Sequence, residues 1–123
     1  MIVLDTDVLI EVVRRKVTPG DWGISVITLI EFLRGVSADK IGKVKEGLEK
    51  AFTIVPLTNE IIENYCKFYW YLKEGGLLIP DADLLIAATS IALEAPLATW
   101  NIKHFERLKE KGLKLVDPAK LGV

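Results

Sequence analysis

The chain has 123 residues, half of them apolar and 27% charged, with a formal net charge of -1. That size and balance suit one soluble globular domain spanning residues 1–123 and exclude a disordered or fibrous chain. No apolar run reaches the ~20 residues of a membrane helix. The N-terminus shows no basic region or cleavage site, and the one cysteine, Cys66, excludes an internal disulfide framework or a cysteine zinc site. A reducing cytoplasm is the expected location. A protein with so little net charge holds nucleic acid only through local basic patches or bound cations.

Residues Ile2 to Leu4 form an apolar, β-branched run ending at Asp5, expected as a buried strand. A helix is expected over Val8 to Arg15, with Arg14-Arg15-Lys16 favourably placed at its C-terminus. Lys16 to Gly23, containing Thr18-Pro19-Gly20, reads as a turn-rich break. Ser25 is expected to cap a helix from Val26 to Arg34 that stops at Gly35. Residues 38–50 are charged and periodic, an exposed helix with Lys40, Lys43 and Lys45 on its solvated face.

Phe52 to Val55 reads as a strand ended by Pro56. The helix from Thr58 to Glu74 closes at Gly75-Gly76. Its Tyr65, Phe68, Tyr69 and Leu72 share a core stripe, and Cys66 reads as a buried small apolar residue. Trp70 and Tyr71 fall off that stripe, which suggests an interface role for Trp70. Pro80 starts a helix continuing from Asp81 to Leu93. Leu97 to Thr99 is a short strand, 103–111 a helix and Lys114 to Val116 a last strand. Short apolar strands alternating with helices predict an α/β fold, a parallel sheet of about four to five strands with helices on both faces.

Three carboxylates break the apolar pattern, and burying an unpaired charge costs several kcal/mol. Asp5 ends the first strand, where ligands sit in open parallel sheets, although it or Thr6 or Asp7 can equally cap the next helix. Glu31 lies among Ile27, Leu29, Ile30, Phe32 and Leu33, and either serves a site or pairs with Arg34 three residues on. Asp83 opens a helix apolar on nearly all sides. Asp81 is explained by the helix dipole alone, and the rotation of about 200° between them keeps both from pointing the same way. Asp83 is therefore preferred over Asp81. Three acids from separate segments suit a hard cation such as Mg²⁺ or Mn²⁺, which compensates charge among apolar neighbours and serves phosphodiester hydrolysis.

Four segments carry a resemblance. They are Ile2-Val-Leu-Asp5-Thr6-Asp7-Val-Leu-Ile, Ser25-Val-Ile-Thr28-Leu-Ile-Glu31-Phe-Leu-Arg34-Gly35, Ile79-Pro-Asp81-Ala-Asp83-Leu-Leu-Ile-Ala-Ala-Thr89, and Leu97-Ala-Thr99-Trp-Asn101-Ile-Lys-His-Phe105. In this order and spacing the chain resembles the PIN domain, and within it the VapC-type toxins of toxin–antitoxin pairs. The resemblance implies an endoribonuclease that hydrolyses RNA with metal-activated water, using Mg²⁺ or Mn²⁺. It places Asp5, Glu31 and Asp83 on the metal-binding, catalytic acids and Thr6 on a supporting hydroxyl position. Asn101 falls where the family commonly has a fourth acid, so with Asp81 it counts as a weaker metal ligand. The resemblance further implies a homodimer inhibited by a small antitoxin protein.

Arg34, Lys103 and Arg107 are candidate contacts to RNA phosphates, against a default of surface solvation. His104 has no acid partner visible in the sequence and reads as structural. The rival enzyme is a haloacid-dehalogenase-type phosphatase, with Asp5 as nucleophile and Asp7 as acid/base. It leaves Glu31 without a role, and the chain is short for that fold with its usual cap. A non-catalytic metal- or partner-binding module is the other alternative. A phosphorylated receiver domain fits less, because Asp5 stands almost at the start.

Overall fold

The computed structural model describes all 123 residues. Five strands, β1 (Ile2–Leu4), β2 (Trp22–Ser25), β3 (Thr53–Val55), β4 (Leu97–Ala98) and β5 (Leu115–Val116), pair in parallel in the order β3-β2-β1-β4-β5. Six helices connect them: α1 (Thr6–Arg14), α2 (Val26–Arg34), α3 (Ile41–Ala51), α4 (Asn59–Glu74), α5 (Asp81–Leu93) and α6 (Ile102–Phe105). The fold is the α/β sandwich that the alternation of strands and helices predicts.

Successive strand residues point to opposite faces, so the sheet feeds two cores, although β2 gives apolar side chains to only one of them. Val3, Val55 and Leu97 join Phe68 and Leu72 of α4 and Leu84 of α5 on one side. Leu4, Ile24 and Ala98 join Val8, Leu9 and Val12 of α1 and Leu48 of α3 on the other. Because both faces are covered, the strands read as short continuous apolar runs rather than alternating ones. The chain moves outward from β1 to β2 and β3, then returns to place β4 and β5 on the other side of β1. Right-handed crossovers taken in opposite lateral directions put their helices on opposite faces, which accounts for the two cores.

The local chemistry places most boundaries. Ser25 caps α2 by accepting from the Ile27 N–H at 3.0 Å, and Thr58 caps α4 by accepting from the Ile61 N–H at 3.3 Å. The structure departs from expectation at four places. Helix α1 begins at Thr6 rather than Val8, because Asp5 caps it. Residues 103–111 divide into α6 and a tighter 3-10 stretch, Glu106–Lys111. Cys66 is exposed on α4, not buried. Strand β2 occupies Trp22–Ser25, whose first two residues were expected to end a break. Wedged between β1 and β3, all four of its residues are buried, and a side chain at Gly23 would meet the Met1 sulfur at 2.7 Å. No helix is long and apolar enough to cross a membrane.

Candidate active site

The strand order reverses between β1 and β4, and in such sheets a crevice opens beyond the carboxyl ends of those two strands. Asp5 stands one residue past β1, and Thr99 one residue past β4. They meet across the reversal: the Thr99 hydroxyl donates to Asp5 Oδ2 at 2.8 Å. Asp5 Oδ1 accepts the Thr6 N–H at 2.8 Å, so the helix cap and the site acid are the same carboxylate. Asp5 is only 6% exposed and has no Lys, Arg or His partner. Burial pushes its carboxyl up from 3.8 to about 6, against the bonds from Thr99 and Thr6, and the charges of Asp83 and Asp7 push the same way.

Around Asp5 lie two hydrogen-bonded groups. On the α1–α2 side, the Thr6 hydroxyl donates to Glu31 Oε1 at 2.6 Å and sits 3.2 Å from the hydroxyl of buried Thr28. On the α5–α6 side, Asp83 Oδ2 is 3.0 Å from His104 Nδ1, which also lies 2.9 Å from Asn101 Nδ2. One ring nitrogen either donates to Asp83 or accepts from Asn101, so the position of the imidazole proton selects the neighbour it holds. The Thr99 hydroxyl, besides serving Asp5, accepts the Asn101 N–H at 2.9 Å and so fixes the turn between β4 and α6.

The PIN domain model matches residues 2–111, nearly the whole chain. The chain belongs to the PIN-domain family. Among sequence relatives, ribonuclease VapC1 of Methanocaldococcus jannaschii is 48% identical, the alignment covering 94% of this chain and 87% of the relative. A ribonuclease VapC1 of Rickettsia felis is 32% identical over 88% and 90% of the two chains. Among solved structures, VapBC-1 of nontypeable Haemophilus influenzae superposes with a TM-score of 0.80 at 26% identity, covering 97% of this chain and 99% of that one. VapBC2 of Rickettsia felis, bound to a DNA fragment from its promoter, superposes at 0.79 with 25% identity, covering 95% and 98%.

Within this PIN domain, Asp5 and Thr6 follow β1, Asn101 follows β4 and Asp83 stands in the first turn of α5, while Glu31 lies past the middle of α2 and joins them through the Thr6 hydroxyl. Asp81 points elsewhere, as the helical rotation requires. It is exposed and accepts the Tyr65 hydroxyl at 2.6 Å, a bond that pushes the phenol up to about 12. Glu31 makes no ion pair with Arg34; it takes a hydroxyl instead. Arg34 and Lys103 are exposed. The Arg107 guanidinium donates to the carbonyls of Leu77 and Leu78 at 2.9 and 3.3 Å, so it ties down the loop before α5. Asp7 is exposed in the first turn of α1.

The sequence reading missed three members of the site. Thr28 and Thr99 lie in quoted segments, but nothing local marks a threonine as a carboxylate donor. His104 does have an acid partner, Asp83, from which 21 residues separate it. A polar residue aligned with a strand end, as Thr99 is with Asp5, is the one signal that was available.

The donor set fits a hard divalent cation. Its atoms are oxygens, its buried carboxylate lacks a positive partner, and a neighbouring carboxylate repels it. No three His, Cys, Asp or Glu side chains are gathered tightly enough to enclose an ion. Coordination through one or two carboxylates with retained waters, the habit of Mg²⁺, suits that spacing better than a closed cage.

Proposed function

We propose that this protein is a divalent-metal-dependent endoribonuclease, the toxin of a toxin–antitoxin pair. Kinship with VapC ribonucleases along nearly the full chain carries the ribonuclease reading, and the acids at the strand reversal supply its chemistry. Asp5, Glu31 and Asp83 would hold the cation, Mg²⁺ or Mn²⁺, one or two of them directly and the rest through its waters, with Asn101 as a neutral further oxygen ligand. Bound there, the cation would supply activation of water for attack on phosphorus and neutralisation of the leaving oxygen. The chain's own part is positional. Thr99 and the Thr6 N–H aim the two oxygens of Asp5, the Thr6 hydroxyl aims Glu31, and His104 aims Asp83. Arg34 and Lys103, exposed near the acids in sequence, contact phosphates of the strand.

Solved relatives named as VapBC pairs support a small antitoxin partner, and a homodimer in the cytoplasm completes the reading. The phosphatase reading gives Glu31 and its bond to Thr6 no purpose and leaves its acid/base, Asp7, exposed and without a partner. A metal-binding module would use the same acids, and it is cleavage that separates it from the nuclease. The test compares wild type with Asp83→Asn, purified identically, on a mixed RNA panel in Mn²⁺ and in EDTA. Cleavage should require metal and vanish in the variant. Equal behaviour of the two proteins would end the assignment.

A further inference from the structure

Beyond Thr99, the hydroxyl partner of Asp5, lies a cleft of about 240 Å³ lined by Trp100, Ile102, Leu115, Val116, Asp117 and Pro118. Trp100 is 47% exposed, and no ring or cation packs on its indole. The other exposed tryptophan, Trp70, differs: the Lys73 ammonium sits 4.9 Å from its ring and Tyr69 meets it edge-on at 5.7 Å. Trp100 also occupies a pinned segment. Its neighbour Thr99 bonds Asp5, and its other neighbour Asn101 is held through its own N–H to Thr99 and through its amide to His104. The exposed indole is thus carried on a pinned stretch of backbone, one residue from the group that aims the buried acid.

We infer that Trp100 and this cleft form a nucleobase subsite, on which an unpaired base of the RNA stacks while the adjoining phosphate reaches the acids. The inference rests on the ribonuclease reading and adds a substrate-binding group to it. Three observations favour a base over a protein side chain as the occupant. The cleft shares Thr99 with the acid site, so whatever fills it adjoins the phosphate position. Most of its lining is apolar, Asp117 being the charged exception with its carboxylate accepting the Ala119 N–H, and Trp100 offers an indole that no ring or cation occupies, which suits a planar base of any identity. Both residues flanking Trp100 are bonded into the site, so a base stacked there lies beside the acids.

The test measures binding of a fluorescein-labelled, mixed-sequence single-stranded RNA in Ca²⁺, alongside steady-state cleavage in Mn²⁺, for wild type, Trp100→Ala, Trp100→Phe and Trp70→Ala. Base–aromatic stacking of this kind corresponds to roughly a tenfold change in affinity. Trp100→Ala should weaken binding and raise KM about tenfold with kcat within about twofold. Trp100→Phe should recover most of the loss, and Trp70→Ala should lose nothing. The subsite is overturned if wild type binds RNA and Trp100→Ala binds it equally, whatever the variant does to protein partners. It is also overturned if kcat falls with KM unchanged, since Trp100 then only positions Thr99 and Asn101. Wild type that binds RNA through Trp100 without cleaving it upholds the subsite and sinks the enzyme reading, whereas wild type that binds none sinks both.

Discussion

Acids on the outer helices and acids at the strand reversal are satisfied by different partners. On α1 and α3, Glu11 pairs with Arg14 and Arg15, Glu49 with Lys45 and Glu46 with Lys50, all in solvent and all three or four residues apart. At the strand reversal, Asp5 takes a hydroxyl and an amide N–H and Glu31 of α2 takes a hydroxyl, Asp83 alone meeting a titratable base, the His104 imidazole at 3.0 Å. A basic partner cancels an acid's charge. A hydroxyl fixes its direction and leaves the charge in place. The inner arrangement thus keeps the negative charge of Asp5 and Glu31 aimed and available, at a cost in stability that the proposed cation would offset.

The strongest way to break this contrast is Asp5→Asn. Cleavage should fall at least ~10³-fold, the several kcal/mol of a lost metal ligand. The metal-free variant should nevertheless melt no lower than wild type, because it no longer buries a charge. Because asparagine caps a helix as well as aspartate does, a variant that unfolds earlier would show that the charge of Asp5 stabilises the metal-free fold.

Next comes the pH dependence. The Asp5 carboxyl titrates at about 6 when folded and near 3.8 in an unfolded chain, so the folded state binds the proton more tightly between those values. Metal-free stability should therefore fall as pH rises through that window, by about 3 kcal/mol relative to Asp5→Asn, and level off above it. The cation and the proton compete for the same carboxylate. At pH 7.5, Mn²⁺ at a hundred times its Kd should stabilise the fold by about 2.7 kcal/mol, near 10 °C in Tm. At pH 5 its affinity should be roughly tenfold weaker. Thermal melts across pH with and without Mn²⁺ check both, and a pH-independent shift would place the ion elsewhere.

Smaller effects sharpen the hydroxyl's part. Thr6→Val removes the donor to Glu31 and should lower kcat by ~10–100-fold, while Thr6→Ser keeps most of it. If the two variants fall equally, packing of the methyl is what matters. At the lower end, Glu49→Gln deletes an outer pair and should change stability by less than ~0.5 kcal/mol, with cleavage and the Mn²⁺ shift intact.

What the sequence disclosed follows how local each cause is. Caps and turns act within a few residues, so α2, α4 and α5 could be placed from Ser25, Thr58 and Pro80. Apolar runs marked β1, β3 and β4 because both faces of a parallel sheet are buried. Strand β2 was hidden because Trp-Gly-Ile-Ser has weak strand propensity of its own, and its neighbours β1 and β3 make it a strand. The acids stood out because their environment is apolar in sequence as well as in space. The threonines and His104 did not, since their role depends on partners 21 to 94 residues away. Cys66 was misplaced because composition alone puts cysteine inside, whereas the helical phase of α4 turns it outward.

The bond between Thr99 and Asp5 spans 94 residues and joins the first strand to the fourth. During synthesis, β1 emerges early and remains a sheet edge until β4 is made, because nothing before residue 97 can fill that side. Any chain that stops short of β4 has Asp5 without its second donor, and lacks both Asn101 and His104. The arrangement proposed for catalysis is therefore among the last things the polypeptide acquires, and fragments ending between residues 83 and 97 carry the three acids without the geometry that aims them.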